Sequence, residues 1–162
     1  MTADVHEPAK PAASTRIERH LDAPRSAVYR ALLDPQAIRI WMVPDGMTSE
    51  VHGFEARIGG TFRVSLTYDA PDAVGKTSAH TDTYRGHFVR LVPDEQVVEV
   101  FAFETTNPAM MGEMRVTFTL VDAGDGTYVI GEHEGVPAAV RPADNELGWR
   151  MALVKLARLV EA

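Results

Sequence analysis

The sequence predicts an α+β fold in which a curved antiparallel sheet of six or seven strands wraps around one long C-terminal helix. Four large apolar residues near the C-terminus fall at helical spacing on one side of that helix: Trp149, Leu153, Leu156 and Val160. Between residues 48 and 135 the apolar residues instead recur with a period of two, which is typical of half-buried strands. A helix over residues 143–161 would span about 28 Å, so a sheet is the neighbour expected to cover it.

The N-terminal part predicts a tail, one strand and two short helices. Residues 1–13 mix Ala and Pro with polar residues and show no periodicity, so we expect a disordered tail. The first strand is expected at 14–22. A short helix then begins near Pro24 and ends at Asp34, because the residue before a proline avoids the α region. The second short helix is expected at 36–41.

The central part predicts an antiparallel run of six further strands. They are expected at residues 51–57, 61–68, 82–92, 96–104, 114–120 and 127–134. The glycine pair at 59–60 indicates a tight turn or a bulge. Residues 69–81 form a polar loop that is long enough to be a lid or an ornament. The long helix follows, and Gly148 inside it indicates a close approach by another group, since glycine costs a helix up to about 1 kcal/mol relative to alanine.

Composition and charge exclude several classes of protein. The 162 residues suit a single domain, expected at 14–162. A net charge of −7 argues against a nucleic-acid partner or an anionic membrane, because both require a basic surface. The absence of cysteine excludes disulfides and thiolate chemistry. No apolar run is long enough for membrane insertion and the N-terminus lacks an apolar leader, so the expected location is the cytoplasm.

Five strings in consecutive order carry a resemblance to a known family: DPQAIRIW, FEARIGGTFR, YRGHFVRLVPDEQVV, DGTYVIGEHEG and GWRMALVKL. With the order of elements, they resemble the helix-grip (Bet v-like, START-like) fold of the SRPBCC superfamily. Within it they resemble the family named after activator of heat-shock-protein-90 ATPase homologues. The resemblance implies a deep apolar cavity between sheet and helix. It also implies a ligand-binding role, since most members are ligand-binding or uncharacterised proteins and a minority of the superfamily are cyclases, hydrolases or lipid carriers. Tyr29 departs from the family pattern, which usually has Trp at that position.

We expect six residues to line the cavity and bind the ligand: Trp41, Phe62, Tyr84, Met114, His133 and Trp149. Strand alternation puts His133 on the same face as Val129 and Gly131, while Glu132 and Glu134 share the other face. The face without acids is the inward one, because burying two carboxylates is costly. An inward histidine can orient a ligand or act as a general base. A hydrogen-bonded core histidine gives the same pattern, so both interpretations stay open.

Motifs for other chemistry are missing from the sequence. The six histidines show no metal-ligand spacing, and there is no G-x-S-x-G nucleophile motif or phosphate-binding glycine loop. No catalytic residue, metal ion or cofactor is therefore assigned. The sequence predicts binding of a small hydrophobic or amphipathic molecule. The alternative is a cyclase- or hydrolase-type enzyme in the same cavity, and a co-chaperone role is the lesser alternative.

A second apolar stripe runs along the opposite side of the predicted helix, through Leu147, Met151 and Val154. Three explanations are open: scattered exposed residues, cover by another part of this chain, or contact with a second copy across a two-fold axis. A homodimer is thus one expectation of the sequence.

Overall fold

The computed structural model describes residues 13–70 and 80–162. The predicted tail, apart from Ala13, and residues 71–79 of the predicted loop lie outside the described residues. No helix in the described ranges is long and apolar enough to cross a membrane.

Seven strands form one sheet, with every neighbouring pair antiparallel and the order β1-β7-β6-β5-β4-β3-β2. The strands are β1 Ala13–Leu21, β2 Met47–Phe54, β3 Thr61–Tyr68, β4 Thr81–Val92, β5 Gln96–Phe103, β6 Met114–Asp122 and β7 Thr127–Val136. The helices are α1 Arg25–Leu33, α2 Pro35–Trp41 and α3 Pro142–Val160, with a short 3₁₀ turn at Pro108–Met110. This architecture confirms the predicted fold, including the two short helices after the first strand.

The strand β2 begins four residues earlier than predicted, at Met47, and ends three residues earlier. The turn between β2 and β3 explains its earlier end. The sequence predicts a strand to residue 57, but β2 ends at Phe54 because Glu55 begins the turn. The Glu55 carboxylate accepts hydrogen bonds from the backbone N–H and the hydroxyl of Thr61, at 3.3 and 2.8 Å. A Cβ at Gly60 would lie 2.1 Å from the Glu55 carbonyl oxygen, so only glycine fits this turn.

The long helix is the central element of the core. It contacts β1, α1 and α2, and Leu153 and Leu156 on its predicted stripe are 2% and 0% exposed. Trp149 and Val160 are only partly buried, although they belong to the same stripe. The middle of the stripe, Leu153 and Leu156, therefore fills the core, while Trp149 lies beside a cavity.

The second apolar stripe of α3 is partly accounted for within the chain. Leu147 and Met151 lie in the wall of that cavity, and Val154 is half-buried. Leu147 itself remains 53% exposed. The homodimer stays a prediction.

Candidate ligand cavity

A cavity of about 560 Å³ lies between the inner face of the sheet and the N-terminal half of α3. The sheet contributes mainly aromatic and aliphatic side chains: Leu66, Tyr84, Phe101, Phe103, Met114 and His133. The helix contributes Asn145, Leu147, Gly148, Trp149, Met151 and Ala152. Residues 42–45 after α2 and the crossover from Val136 to Arg141 complete the wall. Its volume falls within the range of small-molecule sites, about 300–1,000 Å³.

Four of the six predicted lining residues lie in this wall: Tyr84, Met114, His133 and Trp149. They come from β4, β6, β7 and α3, of which the last three are consecutive elements of the chain. The fold thus brings them together around one space. Their part in ligand binding remains a proposal.

Trp41 and Phe62 do not line the cavity, so the prediction for these two residues is wrong. Trp41 is fully buried, its indole N–H donates to the Ala31 carbonyl oxygen at 2.9 Å, and its ring meets Phe118 edge-on. Phe62 is 4% exposed and packs against the rings of Phe54 and Phe88. Trp41 is enclosed by its neighbours, and Phe62 instead borders a second pocket, together with Phe54 and Arg63.

His133 is held in one orientation by two residues of α3. Its Nδ1 accepts a hydrogen bond from the Trp149 indole N–H at 3.0 Å and lies 3.1 Å from the Asn145 amide nitrogen. That nitrogen also donates to the Thr15 hydroxyl at 2.9 Å, which fixes the direction of the amide. Because Nδ1 is an acceptor, the proton of the neutral ring is on Nε2.

The environment of His133 favours its neutral form. The residue is 7% exposed, and burial lowers its pKa to about 4. Nε2 is buried and has no hydrogen-bond partner in the described part of the chain. A neutral ring whose Nδ1 is already occupied is a hydrogen-bond donor at neutral pH, and it is poorly suited to act as a general base.

A row of aromatic rings runs along the cavity wall from the sheet to the helix. Tyr84 lies 5.2 Å from Phe101, Phe101 lies 5.7 Å from His133, and His133 lies 5.7 Å from Trp149, measured between ring centroids. Ring pairs at these separations stabilise one another beyond the area that they bury. The row therefore gives this side of the cavity a defined shape.

Glu99 is a buried acid that the sequence analysis missed. It shares the inner face of β5 with Val97 and Phe101, and its neighbours on the adjacent strands are Phe88 and Val116. Burial raises the pKa of Glu99 to about 8, so the carboxyl is mostly protonated at neutral pH. Burial, with a smaller contribution from Glu99, also raises the pKa of the Tyr84 hydroxyl. Strand alternation alone could have found Glu99, because it is the one acid in an apolar row.

The wall formed by residues 43–45 is tethered to α3 by Lys155. Its ammonium group donates to the Val43 carbonyl oxygen at 2.6 Å and lies 3.1 Å from a carboxylate oxygen of Asp45. The Lys155 side chain is only 22% exposed. The sequence carries no local signal for this contact, because the partners are separated by more than a hundred residues.

Gly148 corrects another expectation. A Cβ at this position would meet only Pro44 Cγ, at 3.9 Å, which is an ordinary van der Waals contact. The glycine is therefore not required by close packing. It lies in the cavity wall, where the missing side chain leaves room.

Among the described residues, no group of three or more His, Asp or Glu side chains could hold a metal ion.

Comparison of the sequence with models of known protein families identifies the family to which the chain is similar. The model of the family described as activator of Hsp90 ATPase homolog 1-like protein matches residues 22–161. A search of curated proteins found no match.

Solved structures show the same fold. The crystal structure of protein CV1439 from Chromobacterium violaceum has 33% sequence identity and a TM-score of 0.83, with 92% of this chain and 97% of that chain covered. A crystal structure of a protein from Rhodobacter sphaeroides has 18% identity and a TM-score of 0.74, with 93% and 95% covered. The solution structure of the AHSA1-like protein from Aeromonas hydrophila has 20% identity and a TM-score of 0.67, with 92% of each chain covered. The chain described here belongs to the family of activator of Hsp90 ATPase homolog 1-like proteins.

Proposed function

We propose that this protein binds a small hydrophobic or amphipathic molecule in the cavity between the sheet and α3. The observation that carries the proposal is a cavity of about 560 Å³ whose wall is mostly apolar and has a few polar groups. Sites for small molecules combine these properties, because apolar contact supplies the affinity and a few polar groups fix the orientation. Met42, Met47, Met114 and Met151 also lie in the wall, and methionine side chains adapt readily to different ligand shapes.

The enzymatic alternative draws less support from the site. A cyclase or hydrolase that uses His133 as a base needs a free ring nitrogen with a pKa near neutrality. Nδ1 of His133 instead accepts from Trp149, and burial lowers the pKa to about 4. Binding without chemistry is therefore the function that we propose. The co-chaperone role stays a lesser alternative, and the cytoplasmic location stays a prediction.

The test uses Gly148, because the size of its replacement can be varied in the cavity wall. N-phenyl-1-naphthylamine, an uncharged dye that fluoresces in apolar surroundings, is titrated into the wild type, Gly148→Ala and Gly148→Phe. We expect saturable one-site binding to the wild type and a change of less than about twofold in Gly148→Ala, where a Cβ has room. Gly148→Phe should weaken binding by about tenfold or more, because the ring takes up cavity volume.

The two variants also control for folding. Both replace a glycine inside α3, so each helix should gain up to about 1 kcal/mol of stability. Thermal unfolding measures that gain independently of the dye. A wild type without saturable binding, or a stably folded Gly148→Phe that binds as tightly as the wild type, would contradict the proposal.

A further inference from the structure

Trp149 separates the cavity from the apolar core of the protein. Its indole lines the cavity and meets the ring of Phe118 edge-on, with the ring centroids 5.8 Å apart. Phe118 is 2% exposed and also meets the fully buried ring of Trp41, at 6.0 Å. Phe118 and Trp41 are not among the described residues that line the cavity. On this side, therefore, the cavity ends at the Trp149 ring.

A second, narrower space also borders Trp149. It lies between α3 and the strands β1, β6 and β7, and its wall includes Ile17, Phe118 and Gly131. This space is too narrow to admit a water molecule. Trp149 and His133 line both spaces, so these two side chains form the partition between the cavity and the narrow space.

Several contacts hold the Trp149 ring in place. Its N–H donates to Nδ1 of His133 at 3.0 Å, and the two rings lie nearly perpendicular, with their centroids 5.7 Å apart. Edge-on ring pairs, here with His133 and with Phe118, are favourable beyond the area that they bury. A ligand that pushed the indole aside would break all of these contacts. The ring is therefore a fixed end wall.

Other residues form the solvent-exposed part of the cavity wall. They are Asp45, Arg141, Asp144 and Leu147. Leu147 comes two positions before Trp149, so it projects from α3 in a direction about 200° away from that of Trp149. An amphipathic ligand can therefore keep its polar group beside the exposed residues while its apolar part extends to the Trp149 ring.

We propose that Trp149 determines the specificity of the cavity for ligand length, because its ring is the end wall that an apolar chain meets. The inference rests on the proposed function and narrows its ligand class to molecules whose apolar part ends at this ring. A longer chain gains no affinity from its additional carbons, because these carbons remain in water. Removal of the indole joins the cavity to the narrow space beyond it and admits a longer chain.

The 1-alkanols from hexanol to dodecanol test the inference by displacing N-phenyl-1-naphthylamine from the protein. In the wild type, each added CH₂ that enters the cavity should increase the affinity about fourfold, and the increase should stop at or before dodecanol. Trp149→Ala leaves Nδ1 of His133 with Asn145 as a partner. In this variant the ratio of dodecanol to octanol affinity should exceed the wild-type ratio by about tenfold or more, as two further buried CH₂ groups would give.

The matched control is Leu159→Ala, which shortens another partly buried side chain of α3 outside the cavity wall and should leave the wild-type ratio intact. A second measurement uses only the wild type, so it does not depend on the folding of a variant. In NMR spectra of ¹³C,¹⁵N-labelled protein with unlabelled decanol, the terminal methyl protons of the alkanol should give NOEs to the Trp149 ring, and the CH₂OH protons should give none. Trp41, in the core, is the internal control and should give no NOE to either group.

The outcomes separate this inference from the proposed function. If the alkanols displace the dye but their affinity rises up to dodecanol without a break, or if folded Trp149→Ala keeps the wild-type ratio, Trp149 does not set the ligand length while the binding function stands. The absence of NOEs from the methyl protons to the Trp149 ring would overturn the inference as well, even if Trp149→Ala failed to fold. If neither N-phenyl-1-naphthylamine nor any alkanol binds to the wild type, both proposals fail together.

Discussion

Glu99 couples the stability of the protein to pH because a carboxyl group is buried on the inner face of β5. Its pKa is about 8 in the folded chain, against an ordinary value of 4.5. Between these values the folded chain holds a proton that the unfolded chain releases, so the free energy of unfolding decreases as pH rises. The contribution is fully present below about pH 4.5 and is lost as pH rises through about 8.

Replacing Glu99 with glutamine should therefore stabilise the protein at neutral pH. Each unit of difference between the folded and unfolded pKa corresponds to about 1.36 kcal/mol. The free energy of unfolding of Glu99→Gln should therefore exceed that of the wild type by about 3 kcal/mol at pH 7 and by less than about 1 kcal/mol at pH 5. Urea unfolding at several pH values measures the difference between variant and wild type. Glu132→Gln, on the exposed outer face of β7, is the control and should show little change. A difference between Glu99→Gln and wild type that stays constant from pH 5 to pH 8 would contradict the assignment.

Strand alternation predicted the face of the sheet on which the His133 side chain lies, but not the residues that it contacts. The period of two puts His133 on the face away from Glu132 and Glu134, and the structure places it in the cavity wall. Its partners Asn145 and Trp149 come from α3, and no sequence pattern indicates which side chains of a helix will meet a given strand. The tautomer of His133 could therefore be assigned only from the structure.

At the scale of the element, α3 combines two roles along one stripe. Leu153 and Leu156 are buried in the core. Trp149, which lies one turn before Leu153 and two turns before Leu156, borders the cavity. The apolar spacing predicted the helix and its buried side. The spacing could not show which residues of the stripe fill the core and which line the cavity, because an apolar side chain can do either. For the same reason Trp41 and Phe62 were wrongly placed in the cavity wall.

Leu156 tests the part of α3 that supports the core. It is 0% exposed, so Leu156→Ala should destabilise the protein by about 2–5 kcal/mol through lost burial and the space left behind. Chemical unfolding of the variant and the wild type gives the value. Leu147→Ala serves as the control from the same helix and should have a small effect, because Leu147 is 53% exposed. If Leu156→Ala unfolded within a degree or two of the wild type on heating, the helix would not be the core element described here.

At the scale of the whole molecule, the order of the elements was predictable and the shape of the cavity was not. Alternating apolar residues, turn residues such as Asp122 and Gly126, and the long apolar stripe together specify a sheet that closes on a helix. The cavity wall also depends on residues 42–45 and on the crossover before α3. Their positions follow from long-range contacts such as Lys155 with Val43, which local patterns do not encode.

The proposed function requires that a small apolar molecule binds between the sheet and α3. The most direct measurement is a crystal structure of the wild type with N-phenyl-1-naphthylamine, grown at a concentration that saturates the protein in solution. We expect density for the dye inside the cavity, in contact with Tyr84, His133, Gly148 and Trp149. Density for the dye at another site, with the cavity closed by its own side chains, would contradict the claim.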